Sequence, residues 1–301
     1  WLGIPRAQAQ PTAARPTPTP TLTLTPKPVP TMQVIPCPGH QASFQREGRE
    51  LTRLHFAPGQ ERPFLFPILG PAGRSLTRMG HPHDPVGHSH HNSVWIALDV
   101  VDGESFWADR GPGRIAHRRV IHFEDADDQA EVITENAWIG AGDRVKLVEK
   151  RRVAVHPLPR DEWLMVIDLE LRPGPGLDQV TLGPTPFGPI GVRMAKTIGV
   201  ADGGGLIRNS EGQINETGDQ GAFRKPARWV DYAGPITAKA IEGVALFDHP
   251  MNFHHPTRFH LRDDGWMGAS NFLDEPAVVA KGQVLRLRYG LLVHAGAPSL
   301  P

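Results

Sequence analysis

The stretch from His81 to Trp95, "HPHDPVGHSHHNSVW", holds five of the chain's 15 histidines, at positions 81, 83, 88, 90 and 91. Imidazole has a free pKa near 6.5, so such a group can move protons at neutral pH or hold a transition metal. The two halves of the stretch differ. Pro82 and Pro85 make "HPHDP" a loop with no assigned role, whereas "HSHHNSVW" runs into an apolar segment. A strand beginning near His88 would project His88, His90 and Asn92 from one face, and His91, Ser93 and Trp95 from the other. A His-x-His pair on a strand is a spacing by which sheet enzymes present two imidazoles to one metal or one substrate. Hydrogen-bonded surface histidines at a sheet end are the plainer reading.

A second group lies in "FDHPMNFHHPTRFHLRDDGW", with Asp248, His249, Asn252, His254, His255, Arg258 and His260. Prolines interrupt it, and long polar loops at sheet edges often carry function. Either the two histidine-rich loops meet over one cleft or they are independent surface loops. Arg193, in "FGPIGVRMA", stands between Val192 and Met194. A guanidinium in such a run pairs with a buried carboxylate or faces an anionic or hydroxyl-rich ligand. Asp168 and Glu170 could pair with it, or form a solvated face. Trp95 and Trp107 offer flat surfaces suited to sugar rings, with core packing as the alternative.

Elements that could position these residues are strands. "WLMVIDLELR" alternates Trp163, Met165, Ile167, Leu169 and Leu171 against Asp168 and Glu170, and "QVLRLRYGLLVH" repeats the pattern from Leu285 to Val293. "NSVWIALDVV", "RVKLVEKRRVAV", "EVITENAWI" and "GVALFDH" read as further strands. No window keeps a helical apolar stripe for three turns, and 32 glycines with 31 prolines punctuate the chain. Short strands without intervening helices predict an all-β fold, a large antiparallel β-sandwich formed as one domain over residues 39–301.

Residues 1–38 read differently. Ala7-Gln8-Ala9 resembles the end of a signal peptide, and residues 11–38 contain nine prolines and seven threonines, the composition of an extended tether. Export to the periplasm or the extracellular space is the expectation. Lysine plus arginine and aspartate plus glutamate both number 32, for a formal net charge of +0, so nucleic acid is not the expected partner. Cys37 is the only cysteine, which excludes an intrachain disulfide and a cysteine-based zinc site. No window is long and apolar enough for a membrane span.

Several motifs occur together: "RPFLFPILGPAG" at Arg62, "HSHHNSVW" at His88, "DVVDGESFW" at Asp99, "GRIAH" at Gly113, "FGPIGVRMA" at Phe187, "GVALFDHPMNFHHPTRFH" at Gly243 and "GQVLRLRYGLLVHAG" at Gly282. In order and spacing they resemble the bacterial PmoA-like proteins, which bear the label methane oxygenase PmoA and are common in carbohydrate-degrading bacteria. A particulate methane monooxygenase subunit is an integral membrane protein, so the resemblance implies carbohydrate metabolism rather than methane oxidation, on a galactose-mutarotase-like supersandwich. It places the family's three motif histidines on His88, His90 and His91 and its tryptophan on Trp95. The sequence departs from that motif at Gly87, Ser89 and Asn92, where the family tends to have Asp, Pro and Arg. Arg193, Asp248 and His249 also fall on motif positions.

The leading expectation is therefore an exported hydrolase, lyase or epimerase acting on a carbohydrate or other small hydroxylated ligand. His88, His90, His91, Arg193, Asp248 and His249 would do the chemistry, with Trp95, Trp107, Asn252 and Arg258 binding substrate. Two alternatives stand beside it: a metal-dependent oxidoreductase with a divalent transition metal on His88 and His90, and a non-catalytic carbohydrate-binding module.

Overall fold

The computed structural model describes residues 28–296, so the signal-like segment and most of the Pro/Thr-rich stretch lie outside the described residues. Eighteen strands follow one another: β1 (Met32–Cys37), β2 (Gln41–Arg46), β3 (Arg49–His55), β4 (Phe64–Ile68), β5 (Val94–Ile96), β6 (Arg114–Asp125), β7 (Ala130–Ile139), β8 (Val145–Pro157), β9 (Trp163–Pro173), β10 (Gln179–Leu182), β11 (Ile190–Arg193), β12 (Leu206–Asn209), β13 (Trp229–Pro235), β14 (Ile241–Asp248), β15 (Phe259–Arg262), β16 (Trp266–Ala269), β17 (Ala277–Ala280) and β18 (Leu285–Ala295). A single α-helical turn, α1 (Val200–Gly203), is the only α-helix among the described residues. None of these elements is a helix long and apolar enough to cross a membrane.

Two eight-stranded sheets carry the fold, one ordered β1-β2-β3-β4-β5-β11-β16-β15 and the other β12-β13-β14-β18-β9-β8-β7-β6, with β10 and β17 as a separate pair. Every pairing of the strands is antiparallel. The expected all-β sandwich is the observed one. Its cause is visible where β9 meets β18, since Leu169 lies opposite Leu287, Ile167 opposite Tyr289 and Met165 opposite Leu291. Period-two alternation thus becomes a continuous apolar face that leaves Asp168 and Glu170 on the other side. One buried cluster joins this face to Phe44, Leu54, Val94 and Val192 of the first sheet.

Two expectations need correction. The sheet begins inside the segment read as tether, because Met32–Cys37 pairs with Gln41–Arg46 as β1. The strand expected to start near His88 starts at Val94, and His88 to His90 form a turn. Ser93 has φ +62°, a left-handed conformation that an extended strand cannot contain, so the alternation assumed for the histidines does not hold.

Candidate functional site

Register across β5, β11, β16 and β15 builds the floor of a cleft. Trp95 lies opposite Gly191, Gly191 opposite Gly268 and Gly268 opposite His260. The next row runs Arg193, Trp266, Arg262. These residues share one face, while Val94, Ile96, Ile190, Val192, Met267, Ala269, Phe259 and Leu261 alternate with them and are buried in the core. The glycines in the row make room for indoles. A Cβ on Gly191 would sit 2.6 Å from the Trp266 ring and 2.8 Å from the Trp95 ring, and one on Gly268 would sit 2.9 Å from the Trp266 ring.

The loop from His81 to His91 folds over this floor and closes a cleft of about 560 Å³. His81, His88, His90, His91, Asp99, Trp107, Phe187, Arg193, His260, Arg262, Asp264 and Trp266 line it. His91, Trp95 and Trp266 pack as a triangle of rings, with the His91 centre 5.4 and 5.3 Å from the two indoles and the indoles 5.2 Å from each other. His88 lies 5.0 Å from His91 and 5.7 Å from His90, centre to centre, and His90 lies 4.5 Å from His91.

Hydrogen bonds fix the tautomers of three imidazoles. Arg193 Nε donates to His91 Nδ1 at 3.1 Å, so His91 accepts there and carries its proton on Nε2. Burial, followed by the positive charge of Arg193, holds His91 far below the usual histidine range and keeps it neutral. Arg193 Nη1 donates to the Asp264 carboxylate and carbonyl, both at 2.9 Å, and the other Asp264 oxygen accepts from His81 Nε2 at 2.8 Å. Burial would raise the Asp264 carboxyl, but Arg193 and His81 outweigh it and hold it below its ordinary value. Backbone N–H groups of His83 and Asp84 donate to His81 Nδ1 at 3.0 and 3.1 Å, fixing its tautomer.

His88 has the opposite polarity to His91. Its Nδ1 lies 2.9 Å from Asp84 Oδ2, and Gly87 N donates to the other Asp84 oxygen at 2.8 Å. The Gly87 N–H, followed by His88, holds the Asp84 carboxyl below its usual value, so it is an anion that can only accept. His88 therefore donates from Nδ1, and its neutral form has the lone pair on Nε2. Asp84, three residues before Gly87, supplies the carboxylate of this turn. Asn92 accepts from Arg62 Nη1 at 2.8 Å. Arg62 also holds the rim, donating to Asp109 at 2.7 Å and to the Trp107 carbonyl at 2.9 Å. Burial, then Arg62, lowers His90 to about 4, and burial, then Arg224, lowers His260 to about 4.

Of the residues singled out in the sequence, His88, His90, His91, Arg193 and Trp107 line this cleft and Trp95 lies beneath it; Asp248, His249, Asn252 and Arg258 do not belong to it. Asp248 is a buried structural node. It accepts from Asn252 Nδ2 at 2.8 Å, Asn271 Nδ2 at 3.1 Å, His255 Nδ1 at 2.8 Å and Thr257 N at 3.1 Å. His249 and Asn252 border a separate hollow of about 370 Å³ on the charged face of the second sheet. Arg258 Nε donates to Asp274 at 2.8 Å. Asp168 and Glu170 pair with Arg152, Arg172, Arg286 and Arg288 rather than with Arg193. Of the histidines in the second group, only His260 reaches the cleft.

Several cleft residues carry no role in a reading of the sequence, His81, Asp264 and Trp266 among them. His81 falls in an irregular, proline-broken loop, and Asp264 and Trp266 lie in "DDGW", which signals only a hairpin turn. As for a metal, the one set of three histidine or acidic ligand atoms within 4.8 Å of one another among the described residues is His122, Glu124 and Glu131, on β6 and β7. His88, His90 and His91 do not form such a set.

These features define an all-β sandwich with an imidazole-lined, aromatic-floored cleft on the face of one sheet turned away from the core. The chain belongs to the family described as a family of unknown function (DUF6807), whose model matches residues 41–300. No curated protein matches it.

Proposed function

We propose that the cleft is the active site of an enzyme that transfers protons on a small hydroxylated ligand of the carbohydrate class. The observation that carries this reading is the pairing of His88 with His91, an imidazole with a free lone pair beside one with a free N–H, their ring centres 5.0 Å apart. Asp84 stabilises the imidazolium that forms when His88 takes a proton. The neutral N–H of His91 stabilises negative charge developing next to it. Lyase or epimerase chemistry suits this arrangement better than two-carboxylate glycoside hydrolysis, which needs a carboxylic acid kept protonated. Asp264 is held ionised, and its two oxygens already accept from Arg193 and His81.

Trp107, Phe187 and Trp266 present flat apolar surface of the sort that covers sugar rings. The motif resemblance to PmoA-like proteins of carbohydrate-degrading bacteria supports the same class. The Ala7-Gln8-Ala9 pattern and the Pro/Thr-rich segment support export as part of this proposal.

The test is proton exchange. A panel of hexoses, hexuronates and aldonates is incubated with the protein in D₂O and followed by NMR. Loss of a C–H signal or appearance of a new product with the wild type, abolished by His88→Ala, is the expected result. Exchange that survives His88→Ala refutes the assignment, and saturable binding without exchange or product favours a non-catalytic binding module.

A further inference from the structure

Away from the cleft, at the edge of the second sheet, the fold gathers one imidazole and two carboxylates. His122 and Glu124 lie on the outermost strand β6 and Glu131 on its neighbour β7. One ligand atom from each lies within 4.8 Å of the others, and His122 Nε2 stands 3.7 Å from Glu124 Oε2. None of the three lines the cleft.

Strand register brings them together. Glu124 lies directly opposite Glu131, and His122 opposite Ile133. The pairing shifts between Val120 and His122, so Ile121 is an extra residue in the ladder, a β-bulge. Val120 and Phe123, three positions apart, therefore both pack against the core. A regular strand would send His122 to the same face as Val120. The bulge turns it instead to the outer face, beside Glu124 and Glu131.

Two carboxylates directly opposite each other on a sheet repel. Arg152 relieves this only in part, because its Nε donates to Glu131 Oε2 while its Nη1 donates to Asp168 at 3.1 Å. Glu131 is 6% exposed, and its Oε1 has no hydrogen bond among the described residues. A nearly buried carboxylate with an oxygen to spare, facing a second carboxylate and an imidazole, is matched by a cation. Ligand bonds of about 2.0–2.2 Å to zinc set tetrahedral ligand atoms about 3.4 Å apart. The His122–Glu124 separation is already close to that, and both side chains are half exposed, so small rotations close the triangle.

We propose that His122 Nε2, Glu124 and Glu131 bind one divalent transition-metal ion of the zinc class, with water completing the tetrahedron. The imidazole sets the choice of ion, since carboxylates alone suit calcium or magnesium and an imidazole suits zinc, copper or nickel. Bound there, the ion neutralises the facing glutamates and fastens β6 to β7 at the sheet edge. The site stands whether or not the cleft is catalytic.

Isothermal titration of the full chain, without an affinity tag, with ZnCl₂ and with CaCl₂ tests it. Zinc is expected to bind with calcium at least about tenfold weaker, and His122→Ala and Glu124→Gln, checked for folding by circular dichroism, each weaken zinc by at least about tenfold, a loss of 1.4 kcal/mol or more. Because the cleft also holds histidines, His88→Ala serves as the comparison and is expected to keep this zinc site. Absorption spectroscopy at the zinc K edge of the wild type needs no variant and is expected to show one imidazole together with oxygen ligands. No zinc binding, calcium bound as tightly as zinc, zinc affinity unchanged in folded His122→Ala or lost in His88→Ala, or two or more imidazoles on the ion overturns the proposal.

Discussion

Replacing Asp84 by Asn isolates the claim that His88 is held as a base. The side chain of Asp84 is half exposed. Asn keeps an oxygen for the Gly87 N–H, so the turn survives and stability changes by no more than about 0.5 kcal/mol. What changes is the partner seen by His88 Nδ1. The amide nitrogen introduced by Asp84→Asn would donate where the carboxylate accepted, at the present spacing of 2.9 Å. His88 then accepts on Nδ1 and carries its proton on Nε2, so the lone pair facing the cleft is lost. Removing a positioned general base lowers turnover by about 10²- to 10⁴-fold, or about 3–5 kcal/mol of barrier. Long-range ¹H–¹⁵N correlation spectra report the tautomer without requiring a known substrate. The wild type is expected to show protonated Nδ1 on His88 and Asp84→Asn protonated Nε2, with His91 unchanged on Nε2. A wild-type His88 protonated mainly on Nε2 would refute the reasoning, as would a variant that keeps Nδ1–H.

Further outcomes follow from burial and packing. His90 and His260 sit near 4 in the fold against 6.5 when free, so the unfolded chain binds more protons between those values. Stability is therefore full above pH 6.5 and falls as pH drops toward 4, by about 2–4 kcal/mol after allowing for their partial exposure. Calorimetric Tm values that stay flat over that window contradict the assignment. Gly191→Ala forces a methyl into the Trp95 and Trp266 rings, and urea unfolding is expected to show a loss of about 1–3 kcal/mol together with weaker ligand binding. Glu149→Leu leaves buried Arg151 without its carboxylate and Trp138 without an acceptor, for a loss of about 3–5 kcal/mol in the same assay. Asp248→Ala strips four hydrogen bonds from one buried carboxylate and destabilises by a similar amount. It should leave proton exchange by the folded fraction unchanged, which distinguishes a structural node from a site residue.

The sheets were legible because their signal is local. Alternation in β9 and β18 needs only neighbouring residues, and the observed register places the two apolar faces opposite each other. The candidate site was half legible. His88, His90 and His91 stand out by type, but their geometry depends on Ser93 at φ +62° and on the turn held by Asp84, neither of which a period-two reading contains. His81 belongs to the cleft through Asp264, 183 residues further along the chain. Contacts of that range leave no trace in local spacing. Asp248 and His249 misled for the converse reason, since a polar, proline-broken loop looks the same whether its carboxylate faces a ligand or ties the loop to itself.

One signal for the missed half was present in the chain. On the site face, glycine alternates with arginine or tryptophan: Gly191 with Arg193 on β11, and Trp266 with Gly268 on β16. A central strand loses packing and conformational entropy at each glycine, so a sheet retains one where something large must lie against the backbone. Here the large groups are the Trp95 and Trp266 rings, and those rings hold His91 in its neutral form by burying it. The chemistry of the cleft therefore begins at two positions without side chains. Admitting the indoles shields the imidazole from water, and only a shielded, uncharged imidazole can accept from Arg193 and still offer a proton to a ligand.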